Sequence, residues 1–61
     1  MGIQEMIDQV IGVSSKAERR KMREGDTYVA MWLINRVLYV TESQAESLSF
    51  RICEQIQTGD A

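Results

Sequence analysis

Lys16, Arg19, Arg20 and Arg23 are spaced i, i+3, i+4 and i+7, so on an α-helix they share one face, with Lys21 close to its side. Five of the chain's seven cations fall within these eight residues. Such a face can hold anions. Arg grips phosphate or carboxylate through two parallel N–H donors, and cations that neutralise phosphates release counterions from a nucleic acid. The ordinary alternative is a solvated surface on which these cations pair with Glu18, Glu24 and neighbouring acids. A net charge of −2 runs against the basic balance of small nucleic-acid binders and favours the solvated surface over a nucleic-acid or nucleotide site.

Other chemistry has little footing. There is no histidine to act as a general base or to complete an ordinary zinc set, and the lone Cys53 lacks the histidine partner of a thiolate nucleophile. The serines at 43, 47 and 49 have no activating base nearby in sequence, and the glycines at 2, 12, 25 and 59 form no phosphate-cradling loop. The chain is therefore expected to be no enzyme, with no catalytic residue, metal site or cofactor. A lone thiol on a helix fits a reducing, cytoplasmic setting.

The aromatic residues Tyr28, Trp32, Tyr39 and Phe50 are the second candidate set. Tyr and Trp, with Arg, dominate the binding energy of protein interfaces, and aromatic rings also stack nucleobases. The plain reading is that they are core or the inner surface of a homodimer.

These residues need elements to position them. Ile3, Met6, Ile7, Val10 and Ile11 mark a helical face at i, i+3, i+4, i+7 and i+8, with Glu5 and Asp8 near its start. Gly12 weakens that helix, and Ser15 with Glu18 forms a capping-box pattern that restarts one at Lys16. A break at 12–15 and a continuous helix to Glu24 both remain open; the continuous form keeps Ala17 and Lys21 near the apolar face. Gly25-Asp26 is a stop signal followed by a change of period. Thr41 and Gln44 form a second capping box, starting a helix that runs to about Gln57. Its stripe is Ala45, Leu48, Ile52 and Ile56, with Phe50 off the stripe and Gly59 past the end.

Between them, residues 27–41 are apolar in both phases. Read as two strands joined at Asn35-Arg36, Tyr28, Ala30, Trp32 and Ile34 share one face with Val37 and Tyr39, where Trp32 stacks opposite Tyr39. Val29, Met31 and Leu33 share the other face with Leu38 and Val40. The abundance of Val, Ile, Tyr and Trp predicts this hairpin, although Arg36 is a poor second turn residue. The rival is a buried helix over 27–40 capped by Asp26.

The expected architecture is thus α+β: a single domain over 1–61, α-β-β-α, with helices on one face of a β-hairpin and the other face or edge buried in a homo-oligomer. The alternative is all-α. A chain this short is marginal alone and has neither disulfide nor metal, which leaves oligomerisation as the remedy. Residues 1–9 carry Glu5 and Asp8, unlike a cationic signal peptide; position 6 is Met where a myristoylation signal has Ser or Thr; and no apolar run approaches the roughly 20 residues of a membrane span. The functional expectation is a small cytoplasmic regulator or inhibitor that works as a homodimer or higher oligomer and docks on a protein partner. Tyr28, Trp32, Ile34, Tyr39 and Phe50 form its interface, and Lys16, Arg19, Arg20 and Arg23 its anion-binding stripe. Nucleic-acid or nucleotide binding through that stripe is the alternative.

Overall fold

Polar side chains that satisfy free backbone groups decide where this chain's helices begin and end. In the computed structural model, which describes residues 2–59, they delimit four helices: α1 (Ile3–Val13), α2 (Lys16–Arg23), α3 (Thr27–Val37) and α4 (Glu42–Gly59). Both capping boxes form. The Ser15 hydroxyl accepts from the Glu18 N–H at 3.1 Å while Glu18 accepts from the Ser15 N–H at 2.7 Å. Thr41 and Gln44 make the same reciprocal pair at 3.1 and 3.0 Å. The break between α1 and α2 is therefore real, and the continuous helix to Glu24 does not form. Ala17 and Lys21 are exposed, and α2 instead buries Met22 completely.

The α2–α3 junction is a Schellman turn. Gly25 N–H donates to Met22 C=O at 3.0 Å and Asp26 N–H to Lys21 C=O at 3.0 Å. Gly25 takes φ +91°, a conformation that disfavours a side chain, although a Cβ there would meet only Gln57 at an ordinary 3.6 Å. Asp26 then caps α3, its carboxylate accepting from the N–H groups of Tyr28 at 3.1 Å and Val29 at 3.3 Å.

Helix α3 overturns the α+β reading: the fold is all-α, and no strand, and hence no β-hairpin, occurs among the described residues. Ala30, Leu33, Ile34 and Val37 are also a helical i, i+3, i+4, i+7 stripe, and the first three are fully buried. A segment apolar in both phases fits either period. The helix prevails because its interior backbone groups pair within the segment and Asp26 accepts from the free N–H groups of Tyr28 and Val29 at its start, whereas an isolated hairpin leaves two edges open. Asn35 and Arg36, read as a turn, lie in the last turn of α3. The helix stops at Val37, short of the 27–40 of the all-α alternative. Residue 38 is extended (φ −119°, ψ 154°), and through this link Leu38 and Val40 pack against the core while Tyr39 between them is exposed.

The core is one cluster: Ile7 and Val10 from α1, Met22 from α2, Ala30, Leu33 and Ile34 from α3, and Ala45, Leu48, Ile52, Cys53 and Ile56 from α4. Helix α3 packs most extensively on α4. The two run antiparallel, with Gly25 beside Gln57, and Tyr28 and Met31 beside Glu46 and Phe50. The surface of 4266 Å² is close to the about 4,000 Å² expected of a folded monomer of this mass. Asp26→Ala removes the cap that selects helix for residues 27–37. It should destabilise the chain by about 1 kcal/mol, lowering Tm by roughly 4–8 °C; a wild-type melt would show that the cap does not set the fold.

Candidate aromatic interface

All four aromatic side chains of the chain lie on the surface, with exposures of 84% for Tyr28, 57% for Trp32, 107% for Tyr39 and 58% for Phe50. The core is built from aliphatic residues, methionine and Cys53. On α3 the buried stripe at 30, 33 and 34 turns Tyr28, Trp32 and Arg36 (i, i+4, i+8) outward as a second stripe. The Arg36 guanidinium lies 5.4 Å from the Trp32 ring centroid, a cation–π contact. On α4, Glu46 and Phe50 are one turn apart and exposed. Together with Thr27, Tyr28, Met31 and Ser49 they line a groove of about 330 Å³ between the two helices. Tyr28 and Phe50 therefore share a groove, and Trp32 lies one turn beyond Tyr28 on the exposed side of α3.

The other sequence candidates scatter. Ile34 is fully buried in the core and offers no surface. Tyr39 does not stack on Trp32 across a hairpin; it lines a different groove, of about 350 Å³, with Ile3 and Met6 of α1, Val40 of the link, and Ser43, Ser47, Leu48 and Arg51 of α4. Of the basic stripe, Lys16, Arg20 and Arg23 are exposed. Arg19 is half-buried and folds back, donating from Nη1 to the Ser14 carbonyl at 2.7 Å, so it closes the end of α1. The sequence alone placed Arg36 in a turn and Glu46 on an ordinary exposed helix side, and assigned neither to a site. The i+4 spacing of Arg36 from Trp32 becomes visible only once 27–37 is a helix, whereas Glu46 was already one turn from Phe50 on the expected last helix and gains its place from the groove shared with Tyr28.

Cys53 is buried against the core, and burial, reinforced by the Asp26 carboxylate, pushes its thiol above the ordinary range. Among the described residues no group of three or more His, Cys, Asp or Glu side chains is placed to hold a metal ion, and every buried side-chain N or O atom has a hydrogen-bond partner. No helix among them is long and apolar enough to cross a membrane. Comparison of the chain with protein-family models, curated proteins and solved structures finds no match, so its own geometry carries the functional reading.

The raised thiol has a consequence for stability. Above the ordinary thiol range, about pH 8.5, the unfolded chain loses the Cys53 proton while the folded chain keeps it. The unfolded state then binds fewer protons and stability falls as pH rises. Stability curves from pH 8 to about 10 should therefore decline more steeply for wild type than for Cys53→Ala. Parallel curves would show that the buried thiol is not linked to folding.

Proposed function

We propose that this chain is a small non-enzymatic binding protein of the cytoplasm, acting as a homo-oligomer that regulates or inhibits another macromolecule by docking on it. One observation carries this reading: the four aromatic side chains stay outside the core. Burying a Phe or a residue of similar size contributes roughly 1.5–3 kcal/mol, a large share of what a chain this short has to spare. A sequence that leaves Tyr28, Trp32, Tyr39 and Phe50 on the surface forgoes that gain in the monomer and recovers it when a partner covers them. Two separate patches result, one along α3 and α4 and one around Tyr39 and Ile3. Two patches suit a protein that joins its own kind with one and a different partner with the other.

The competing reading, nucleic acid on the basic side of α2, keeps Lys16, Arg20 and Arg23 on the surface but has Arg19 engaged at the end of α1. Salt separates the two, because phosphate binding weakens steeply with ionic strength and apolar docking hardly responds. The test is capture of a partner from extract with and without nuclease. Binding of the purified partner to wild type, Tyr28→Asp, Tyr39→Asp, Phe50→Asp and Lys16→Glu/Arg20→Glu then follows across a salt series. At least one aromatic variant should lose about 30-fold in Kd with its helical circular dichroism intact, while the α2 variant binds as wild type. Capture that nuclease abolishes, or that only the α2 variant loses, would transfer the function to the basic side.

A further inference from the structure

We propose that the α3 stripe seats a second copy of this chain in a two-fold symmetric dimer, the two α3 helices lying antiparallel and centred on Trp32. The proposal rests on the homo-oligomeric reading above and assigns the face that self-associates. A two-fold interface must complement itself, so that if residue i of one copy meets residue j of the other, j also meets i. The stripe meets this condition. Tyr28 and Arg36 lie four residues to either side of Trp32, each about 6 Å along the helix axis. An antiparallel overlay centred on Trp32 sets the two Trp32 rings together and brings Arg36 of the second copy to Tyr28, and the reverse.

Arg36 already lies over an aromatic ring within its own chain, 5.4 Å from the centroid of Trp32, so a guanidinium on a ring is a geometry this side chain adopts. At Tyr28 the incoming guanidinium finds Phe50 and, lining the same groove, the Glu46 carboxylate. Each copy thus offers a cation at one end of its apolar strip and an anion at the other, and the antiparallel arrangement pairs them twice. A parallel arrangement would set Arg36 against Arg36 and leave Glu46 unmatched. A purely apolar partner helix would strand both charges. A dimer of ordinary size takes roughly 800 Å² from each partner, about a fifth of this chain's 4266 Å², which leaves the groove around Tyr39 for another protein. Since the core is complete in the monomer, the dimer joins preformed surfaces and dissociates on dilution.

Sedimentation of the full chain over a concentration series tests this, with wild type, Arg36→Glu, Glu46→Arg, Trp32→Ala and an equimolar mixture of the two charge variants. Arg36→Glu sets two acids against each other twice and Glu46→Arg two cations twice. Each should weaken dimerisation by roughly tenfold or more, and Trp32→Ala by about 30-fold, all with unchanged helicity. The mixture restores both opposite-charge pairs and should form heterodimers at close to wild-type affinity. Were Trp32→Ala to lose its fold, the mixture alone would still decide. A monomeric wild type, or charge variants that dimerise normally or fail to rescue each other, overturns the proposal. Wild type that stays monomeric but loses a purified protein partner on Trp32→Ala would give the face to that protein and would equally overturn it. Partner binding read on Tyr39→Asp uses the other groove, so the wider functional reading stands or falls separately.

Discussion

Everything else in this fold depends on the packing of α3 against α4. Ala30, Leu33 and Ile34 on one helix and Ala45, Leu48, Ile52 and Ile56 on the other supply most of the core, and α1 and α2 close over it through Ile7, Val10 and Met22. Burial of that α3 stripe fixes which residues face out. A helix has about 3.6 positions per turn, so once 30, 33 and 34 point inward, 28, 32 and 36 have nowhere to go but the surface. The aromatic face is the geometric complement of the core, and moving the core stripe by one position would rotate Trp32 toward α4.

The junctions support this arrangement at little cost. The Schellman turn at Gly25 hands the chain directly to the Asp26 cap, so the backbone groups named at the α2–α3 corner are satisfied within a few residues. Ser14 and Arg19 do the same for α1: the Ser14 hydroxyl donates to the Ile11 carbonyl at 2.6 Å, and Arg19 covers the Ser14 carbonyl. Gln4 reaches across from α1 to α4, donating to Gln55 at 2.9 Å. A domain closed by short local links has a small loop-closure penalty and suits a chain of this length.

Much of this was legible in the sequence, and the part that was not has a clear cause. Thr41 with Gln44 and the Gly25-Asp26 stop identify two helix boundaries, and Ser15 with Glu18 marks a third that the sequence left open against a continuous helix, since capping depends on local hydrogen bonds between residues three apart. The stripe of α4 was equally plain, because polar residues separate its apolar ones. Residues 27–40 lack such contrast: their apolar positions satisfy a period of two and a period of 3.6 together, and their β-branched and aromatic content favours the wrong one. That single choice rearranged the candidate site. It sent Ile34 to the core, separated Tyr39 from Trp32, and brought in Arg36 and Glu46. Met22 escaped notice because it sits among charged neighbours, and the role of Arg19 at the end of α1 because a guanidinium that closes a helix end has the same sequence spacing as one on a solvated face.

Trp32, the chain's one tryptophan, lies outside the core, and we propose that a second copy covers it. Its fluorescence reads this directly, with no label. In dilute solution Trp32, 57% exposed with Arg36 over its ring, should emit at long wavelength and be readily quenched by acrylamide. As concentration rises, emission should shift to the blue and quenching fall along one monomer–dimer curve, with helicity constant throughout. Blue emission and protection at every dilution would place Trp32 in the core and contradict the fold. A spectrum that stays red at every concentration would leave the fold standing and contradict the dimer.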